Sequence, residues 1–518
     1  MSQNSGLSDN TDILLIYPKT GQDIGSNVAP PHALLTIAAP LVRKGYKVKI
    51  VDQRRDMNWR KTVSSQMEKQ PICVGISSMT GTQLYFALEA ARLIRQLDNG
   101  KTPIVWGGAH PTILPGQTLK NEHVDIVSIG ESDMTFMELV EALQSKAPLS
   151  GVKGIAFKDG ANVVMTPQRE LLDIETLLPV PWDIVNVEDY IQPDFYLKKS
   201  PRTLDIGQTS RGCPFKCGFC SSSSIRGHRW RAMSAEKSIE MIVDAVRRFN
   251  LNGIWIRDDE FYIDRRRANR VCEGIIKNDL GISWYTSGTR IDVFNKASDE
   301  EIALLKKAGA YVLKFGAESG SNRILKLMDK GITWEDTIKT NLKAKRHGII
   351  PAFGLMVGFP TETFDEMNQT IDLAFRLKED NPAAQLEAIT TYTALPNTPL
   401  YNMAIERGLK PPNDLEGWID WEFIEYDFPG RKIPWFSCSQ RKKIGNICYM
   451  YTIANAVPNL IGSIRSSLLR FILKMISVPF VKFYRYRIRK KYYVFAPELQ
   501  FFRFIRDKVL YKSHIVLR

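Results

Sequence analysis

Arg211-Gly212-Cys213-Pro214-Phe215-Lys216-Cys217-Gly218-Phe219-Cys220 follows closely on an apolar run, Leu204 to Gln208, that reads as a buried strand. Three thiolates separated by three and two residues suit one loop wrapped around a cubane iron-sulfur cluster, and a [4Fe-4S] cluster ordinarily takes four cysteine ligands. The loop offers three, which leaves one iron open to a chelating ligand. Zinc is the competing reading of closely spaced cysteines. It would need a fourth ligand, and His228 is the only nearby candidate, in a Ser- and Arg-rich stretch without a second Cys-x-x-Cys. Structural zinc sites are nearly always closed and four-coordinate, so the cluster is favoured. Cys73, Cys272, Cys438 and Cys448 are scattered, each most simply a small buried hydrophobe. No basic-plus-apolar signal segment opens the sequence, so a reducing, cytoplasmic setting is expected.

Outward from this loop, strand and helix patterns alternate from Thr203 to about Arg407. Strands are expected at Leu204 to Gln208, Gly253 to Arg257, Ile282 to Thr286, Val312 to Phe315, Ala352 to Val357 and Leu386 to Tyr392. Helices such as Ser238 to Phe249 and Trp334 to Arg346 fall between them. Six such units predict an α/β architecture, a partial parallel (β/α)6 barrel with its active site at the C-terminal rim. Polar motifs follow the strands: the cysteine loop after the first, Asp258-Asp259-Glu260 after the second, and Arg290 after the third. Gly316-Ala317-Glu318-Ser319-Gly320 follows the fourth and Gly358-Phe359-Pro360-Thr361-Glu362 the fifth. Taken singly, these are equally a helix N-cap run, a strand-end acid and a surface ion-pair partner.

The first 150 or so residues repeat the alternation, with strands at Ile13 to Tyr17, Lys47 to Val51, Ile72 to Ser77, Pro103 to Trp106 and Val124 to Ile129. Helices such as His32 to Lys44 and Leu84 to Leu97 separate them. This predicts a Rossmann-like, doubly wound parallel sheet, in which ligands sit over the carboxyl ends of the strands. There stand Ser77-Ser78-Met79-Thr80-Gly81, Gly107-Gly108-Ala109-His110-Pro111 and Gly130-Glu131-Ser132. Ordinary tight turns would also account for these glycines.

The cysteine spacing, with an aromatic residue before the last cysteine, resembles the radical S-adenosylmethionine superfamily. The order strand, Ser-x-Met, strand, Gly-Gly-x-His-Pro-Thr, then Val-Asp-Ile-Val-Ser-Ile-Gly-Glu looks like the cobalamin-binding domain that precedes the radical domain in one branch of it. The resemblance runs over about residues 11 to 407. It implies Cys213, Cys217 and Cys220 as ligands of a [4Fe-4S] cluster whose open iron chelates S-adenosylmethionine before cleavage to a carbon radical. Glu260, or Asp259 beside it, is then the acceptor for the methionyl ammonium, and Arg290 meets the methionyl carboxylate. Glu318, next to Ser319, takes the ribose hydroxyls while Gly316 and Gly320 let backbone approach the nucleoside. Phe219 lies on adenine and Gly358-Phe359-Pro360 present backbone to its edge. Ser78, Gly107, Gly108 and Gly130 fall to cobalamin. One departure stands out: Lys19 to Gly25 occupies the first loop, where Asp-x-His-x-x-Gly would carry the histidine ligand to cobalt. Two readings stay open, cobalamin bound without a protein nitrogen ligand and a domain that has lost cobalamin. His32 and His110 are the only histidines near that face.

At 518 residues and 44% hydrophobic content the chain has material for several cores. The expected division is 1–150 cobalamin-binding-like, 151–200 hairpin and Pro-rich linker, 201–408 radical barrel, and 409–518 a basic, mainly helical region. Charge is concentrated in that last part. From Arg441 to Arg518, 17 Lys and Arg face two acids, Glu498 and Asp507, whereas 53 bases and 54 acids share the rest. Ile444 to Ile464 is uncharged but interrupted by Asn446, Asn455, Pro458, Asn459 and Gly462, which argues against a membrane span. Beyond it, bases alternate with large apolar residues through Phe480 to Tyr493. Such a segment suits a bilayer interface, a helix packed on the barrel with snorkelling charges, or single-stranded RNA.

The resemblance implies a cobalamin-dependent radical enzyme for C-methylation or oxidative cyclisation of an apolar or membrane-associated small molecule, lipid-like or tetrapyrrole. It is similar to the group containing the anaerobic magnesium-protoporphyrin IX monomethyl ester cyclase and the methylases of unactivated carbons. An electron donor such as flavodoxin or ferredoxin is implied, with peripheral contact on the inner membrane face through the basic tail and no nucleic acid partner. The alternatives are a transfer-RNA methylthiotransferase, which would carry extra N-terminal cysteines where only Cys73 is available, and a non-catalytic cobalamin or iron-sulfur regulator.

Overall fold

The computed structural model describes residues 11–21, 28–160, 162–193, 196–197, 199–421, 432–462, 466–494 and 496. The end of the first loop, 22–25, and the last part of the basic tail, with Glu498 and Asp507, lie outside these.

Strands β1 (Ile13–Tyr17), β2 (Val48–Asp52), β3 (Cys73–Ser77), β4 (Ile104–Gly107) and β5 (Ile126–Ser128) are short, largely buried apolar runs, as parallel strands covered on both faces must be. They pair in parallel in the order β2-β1-β3-β4-β5. A hairpin, β6 (Ile155–Asp159) and β7 (Asn162–Met165), extends the sheet antiparallel to seven strands. Asp159-Gly160 turns that hairpin. The doubly wound sheet inferred from the alternation is present, with the hairpin as its added edge.

β8 (Thr203–Gly207) leads into a two-stranded antiparallel ladder, β9 (Ser210–Arg211) with β10 (Arg231–Ala232), which closes the base of the long loop carrying the cysteines. β11 (Gly253–Ile256), β12 (Ser283–Thr289), β13 (Ala310–Glu318), β14 (Ile350–Val357) and β15 (Gln385–Thr391) complete a six-stranded sheet in the order β15-β14-β13-β12-β11-β8. Sequential neighbours joined by helices make this the partial barrel. β13 runs longer than its apolar core Val312 to Phe315 indicates, because the ladder to β14 continues past a register shift at Gly316 and ends on Glu318. Helices start sharply after the strand-end loops. Thr363 and Glu366 form a capping box that opens Phe364–Asp380 directly after the Gly358–Glu362 turn.

By packing, the described residues within 1–212, 222–254 and 412–422 form one compact unit, and those within 213–221, 255–411 and 423–518 form a second. Two long helices, Cys438–Gly462 and Ser467–Arg489, form most of the described tail, and among the described residues no helix is long and apolar enough to cross a membrane.

Candidate active site

Within the second unit the cysteine loop is strapped at its centre. The Gly218 amide donates to the Met328 carbonyl at 2.7 Å, and the Leu400 amide donates to the Gly218 carbonyl at 2.9 Å. Cys213, Cys217 and Cys220 are all partly exposed and none is in a disulfide. Burial, ahead of the opposing Phe215 amide, pushes the Cys213 thiol up to about 11. Three thiolates on one loop call for positive charge nearby, and Arg290 supplies it. Arg290 donates through Nη1 to Cys217 Sγ at 3.5 Å and lies over the Phe215 ring at 3.5 Å. Among the described residues no three His, Cys, Asp or Glu side chains converge on a single ion. A donor set of three soft thiolates on one loop, beside a guanidinium, fits the separate corners of a cubane.

Arg290 is a hub rather than a free fork. Its Nε donates to Asp292 at 2.7 Å, its Nη2 to the Lys330 carbonyl at 2.5 Å, and its amide to Glu260 at 3.1 Å. Glu260 is buried, and burial, opposed by the Arg290 amide and the charges of Arg290 and Lys330, raises it to about 7. Of the three consecutive acids, in the loop after β11, Asp258 and Glu260 are buried and Asp259 is exposed. Glu318 sits in the left-handed region at φ 61°, an uncommon place for a residue other than glycine, and one typical of functional sites. Lys330 donates to its Oε1 at 2.8 Å, and the same ammonium lies 5.5 Å from the Phe219 ring centroid. Burial works against the charge on Lys330, but Glu318 and then Cys217 hold it above the ordinary lysine value.

The remaining expected residues are placed as follows. Ser319 is fully buried, hydrogen-bonded to Thr370 at 3.1 Å and to the Ser321 amide at 3.1 Å. Gly358 and Phe359 donate their amides to Glu362 Oε2 at 2.5 and 3.0 Å, while Phe359 stacks on Tyr392. Glu362 Oε1 is buried without a hydrogen-bond partner, and burial, against those two amides, raises the carboxyl to about 8. Motif reading passed over Lys330, and it included Glu362 only as the end of the Gly358–Glu362 run, with no role of its own. Lys330 belongs to no spaced pattern, and only three-dimensional pairing brings it between Glu318, Phe219 and Cys217.

In the first unit, Ser78, Gly107, Gly108 and Gly130 line the carboxyl edge of the sheet. Ser78 donates its amide to the Gly107 carbonyl at 2.8 Å, and Gly130 donates to Thr112 Oγ1 at 3.0 Å. A Cβ on Gly108, at φ 101°, would lie 2.5 Å from the Ser78 carbonyl oxygen, so only glycine fits this close approach. Ser78 Oγ and His110 Nε2 are buried without hydrogen-bond partners, polar atoms of the kind a corrinoid's amides and phosphate would satisfy. His110 is held neutral by burial, its pKa lowered to about 4, with Nδ1 on Thr80 at 3.0 Å and Trp418 packed edge-on at 5.8 Å. His32 Nε2 is engaged with Asp205 at 3.0 Å. His32 thus has a structural partner on Nε2, whereas His110 is held through Nδ1 alone and keeps Nε2 open.

The base of the cysteine loop is fastened within this same unit. Gly212, at φ 84°, would place a Cβ 2.1 Å from the Arg229 carbonyl oxygen. Arg231 donates to both oxygens of Glu131, at 3.0 and 2.5 Å, and Arg211 to both oxygens of Asp133.

Comparison with known proteins agrees with this geometry. A family model described as the radical SAM superfamily matches residues 208–374, and one described as the B12 binding domain matches residues 26–140. An uncharacterised methyltransferase of Pyrococcus horikoshii is 32% identical over 445 residues, 85% of this chain and 91% of that one. The anaerobic magnesium-protoporphyrin IX monomethyl ester cyclase of Rubrivivax gelatinosus is 28% identical over 374 residues, 70% of this chain and 65% of that one. The solved cobalamin-dependent S-adenosylmethionine radical enzyme OxsB superposes with a TM-score of 0.73 at 18% identity, over 97% of this chain and 75% of that one, a likeness of fold.

Proposed function

We propose, from a chain that belongs to the radical S-adenosylmethionine superfamily and carries its B12-binding domain, C-methylation or oxidative cyclisation of an apolar or membrane-associated small molecule. Its cofactors are a [4Fe-4S] cluster, S-adenosylmethionine and cobalamin. When bound, these supply a carbon radical able to take hydrogen from an unactivated carbon and a carrier for a methyl group.

The observation that carries the reading is the cluster of Glu260, Arg290, Glu318 and Lys330 beside the cysteine loop. Cys213, Cys217 and Cys220 hold the cluster. Glu260, a buried carboxylate with balancing cations, accepts from the methionyl ammonium. Arg290 keeps Glu260 and the loop in register and adds positive charge next to the Cys217 thiolate. Glu318, fixed in direction by Lys330, accepts from the ribose hydroxyls, Phe219 offers its ring to adenine, and Gly358 presents backbone. Ser78, Gly107, Gly108 and Gly130 seat cobalamin. A one-electron donor of the flavodoxin or ferredoxin kind reduces the cluster. The setting is cytoplasmic, on the inner face of the membrane.

Electron paramagnetic resonance of the reduced, reconstituted protein tests the site. Added S-adenosylmethionine should change the cluster signal in the wild type and change it less in Glu260→Gln at equal cofactor. An unaltered signal on adding the cofactor to the wild type would reject the reading.

A further inference from the structure

The helix Ser467–Arg489 is anchored on one side only. Val481, Tyr484 and Ile488 are buried on one stripe of its C-terminal half, where it packs with Cys438–Gly462. Asn446 donates to the Tyr493 carbonyl at 2.7 Å, and the Tyr493 hydroxyl to Asn368 at 3.1 Å, which fastens that end. The opposite stripe is apolar and open. Leu468, Ile472, Met475, Ile476, Pro479 and Phe483 succeed one another at helical steps, with Leu468 68%, Met475 64% and Phe483 51% exposed. Phe471 and Phe480, 62% and 53% exposed, border it. Lys474, Lys482 and Arg485 run along one flank between the open and buried stripes. From Lys432 to Ala496 the sequence contains no Asp or Glu.

A protein does not keep so large an apolar stripe in water without something to cover it. The charge selects the cover. A flank of bases with no acid for more than sixty residues around it complements a surface of fixed negative charge. A broad apolar face beside a basic one is the pattern of a helix lying in the plane of a bilayer. We propose that Ser467–Arg489 docks the protein on an anionic membrane, with Leu468, Ile472, Met475, Ile476 and Phe483 among the acyl chains and Lys474, Lys482 and Arg485 at the head groups. The proposal deepens the reading of an apolar substrate, and rests on it only in naming the bilayer as the place from which that substrate is drawn.

Co-flotation of the full chain with vesicles tests it. Binding should be at least about tenfold stronger to phosphatidylcholine mixed with phosphatidylglycerol than to phosphatidylcholine alone, and should weaken with added salt. Ile472→Asp with Met475→Asp should abolish it, at an unfolding temperature equal to the wild type because both side chains are exposed. Lys474→Gln with Lys482→Gln should reduce the preference for the anionic vesicles. Three results would overturn the proposal: equal or no binding to the two vesicle types, capture of single-stranded RNA in place of vesicles, or a dimer that dissociates in the Ile472→Asp, Met475→Asp variant. Vesicle binding requires neither cluster nor S-adenosylmethionine, so its failure and a failure of the enzymatic reading are separately visible.

Discussion

Arg211, two residues ahead of the first cysteine of the loop, donates to both carboxylate oxygens of Asp133 at 2.9 and 3.1 Å, and both side chains are buried. Asp133 follows the strand-end turn of the B12-binding sheet, so one bidentate pair fastens the root of the cysteine loop to that turn. Removing one partner of a buried pair leaves the other charge uncompensated. Asp133→Ala is therefore expected to cost about 3 kcal/mol in denaturant unfolding of the metal-free protein. A loss below about 1 kcal/mol would mean that water or Glu131 takes over the guanidinium.

Lys330 fixes Glu318 and lies beside the ring of Phe219. With Lys330→Met the buried carboxylate loses its donor and its direction. The dissociation constant for S-adenosylmethionine, measured by equilibrium dialysis on reconstituted protein, should rise about tenfold or more, the equivalent of roughly 1.4 kcal/mol. An unchanged constant would separate Glu318 from the cofactor.

Glu362 carries a pH signature. Its folded pKa, about 8, lies above the ordinary 4.5, so the folded state binds the proton more tightly than the unfolded state. Stability from this group is fully present below the unfolded value and is lost as pH rises toward about 8. Glu260, raised to about 7, slopes the same way. Glu362→Gln should flatten the fall in unfolding free energy as pH rises toward about 8, most clearly above pH 7, where the share of Glu260 is already fading. An identical slope in variant and wild type would contradict this.

Gly108→Ala sets a methyl group against the Ser78 carbonyl at a backbone angle that disfavours any side chain. Cobalamin retained through purification from corrinoid-fed cells, read by absorbance, should fall several-fold. Full retention would move the corrinoid away from the Ser78 and Gly107-Gly108 loops.

Much of this was legible in the sequence because parallel strands buried on both faces must be short and apolar. Ile13 to Tyr17 is found residue for residue, and the loops after such strands are where ligands gather. Where the pattern was silent, long-range pairing decided. Three acids in a row do not say which one turns inward, and only the path of the loop after β11 buries Glu260 and leaves Asp259 exposed. Lys330 has no motif around it. The Pro412–Glu422 segment, far along the chain, packs with the first unit, where Trp418 lies against His110 and donates to Gln117 at 2.7 Å. No local periodicity foretells such a return.

The proposed reaction begins with radical cleavage of S-adenosylmethionine at the cluster held by Cys213, Cys217 and Cys220. Anaerobic reconstitution with iron and sulfide, reduction, and quantification of 5′-deoxyadenosine, with and without hydroxocobalamin, tests it against a Cys217→Ala control. Nucleoside is expected from the wild type and none from the control. Nucleoside at equal rates from both, or none from a wild type bearing a fully formed cluster, would contradict it.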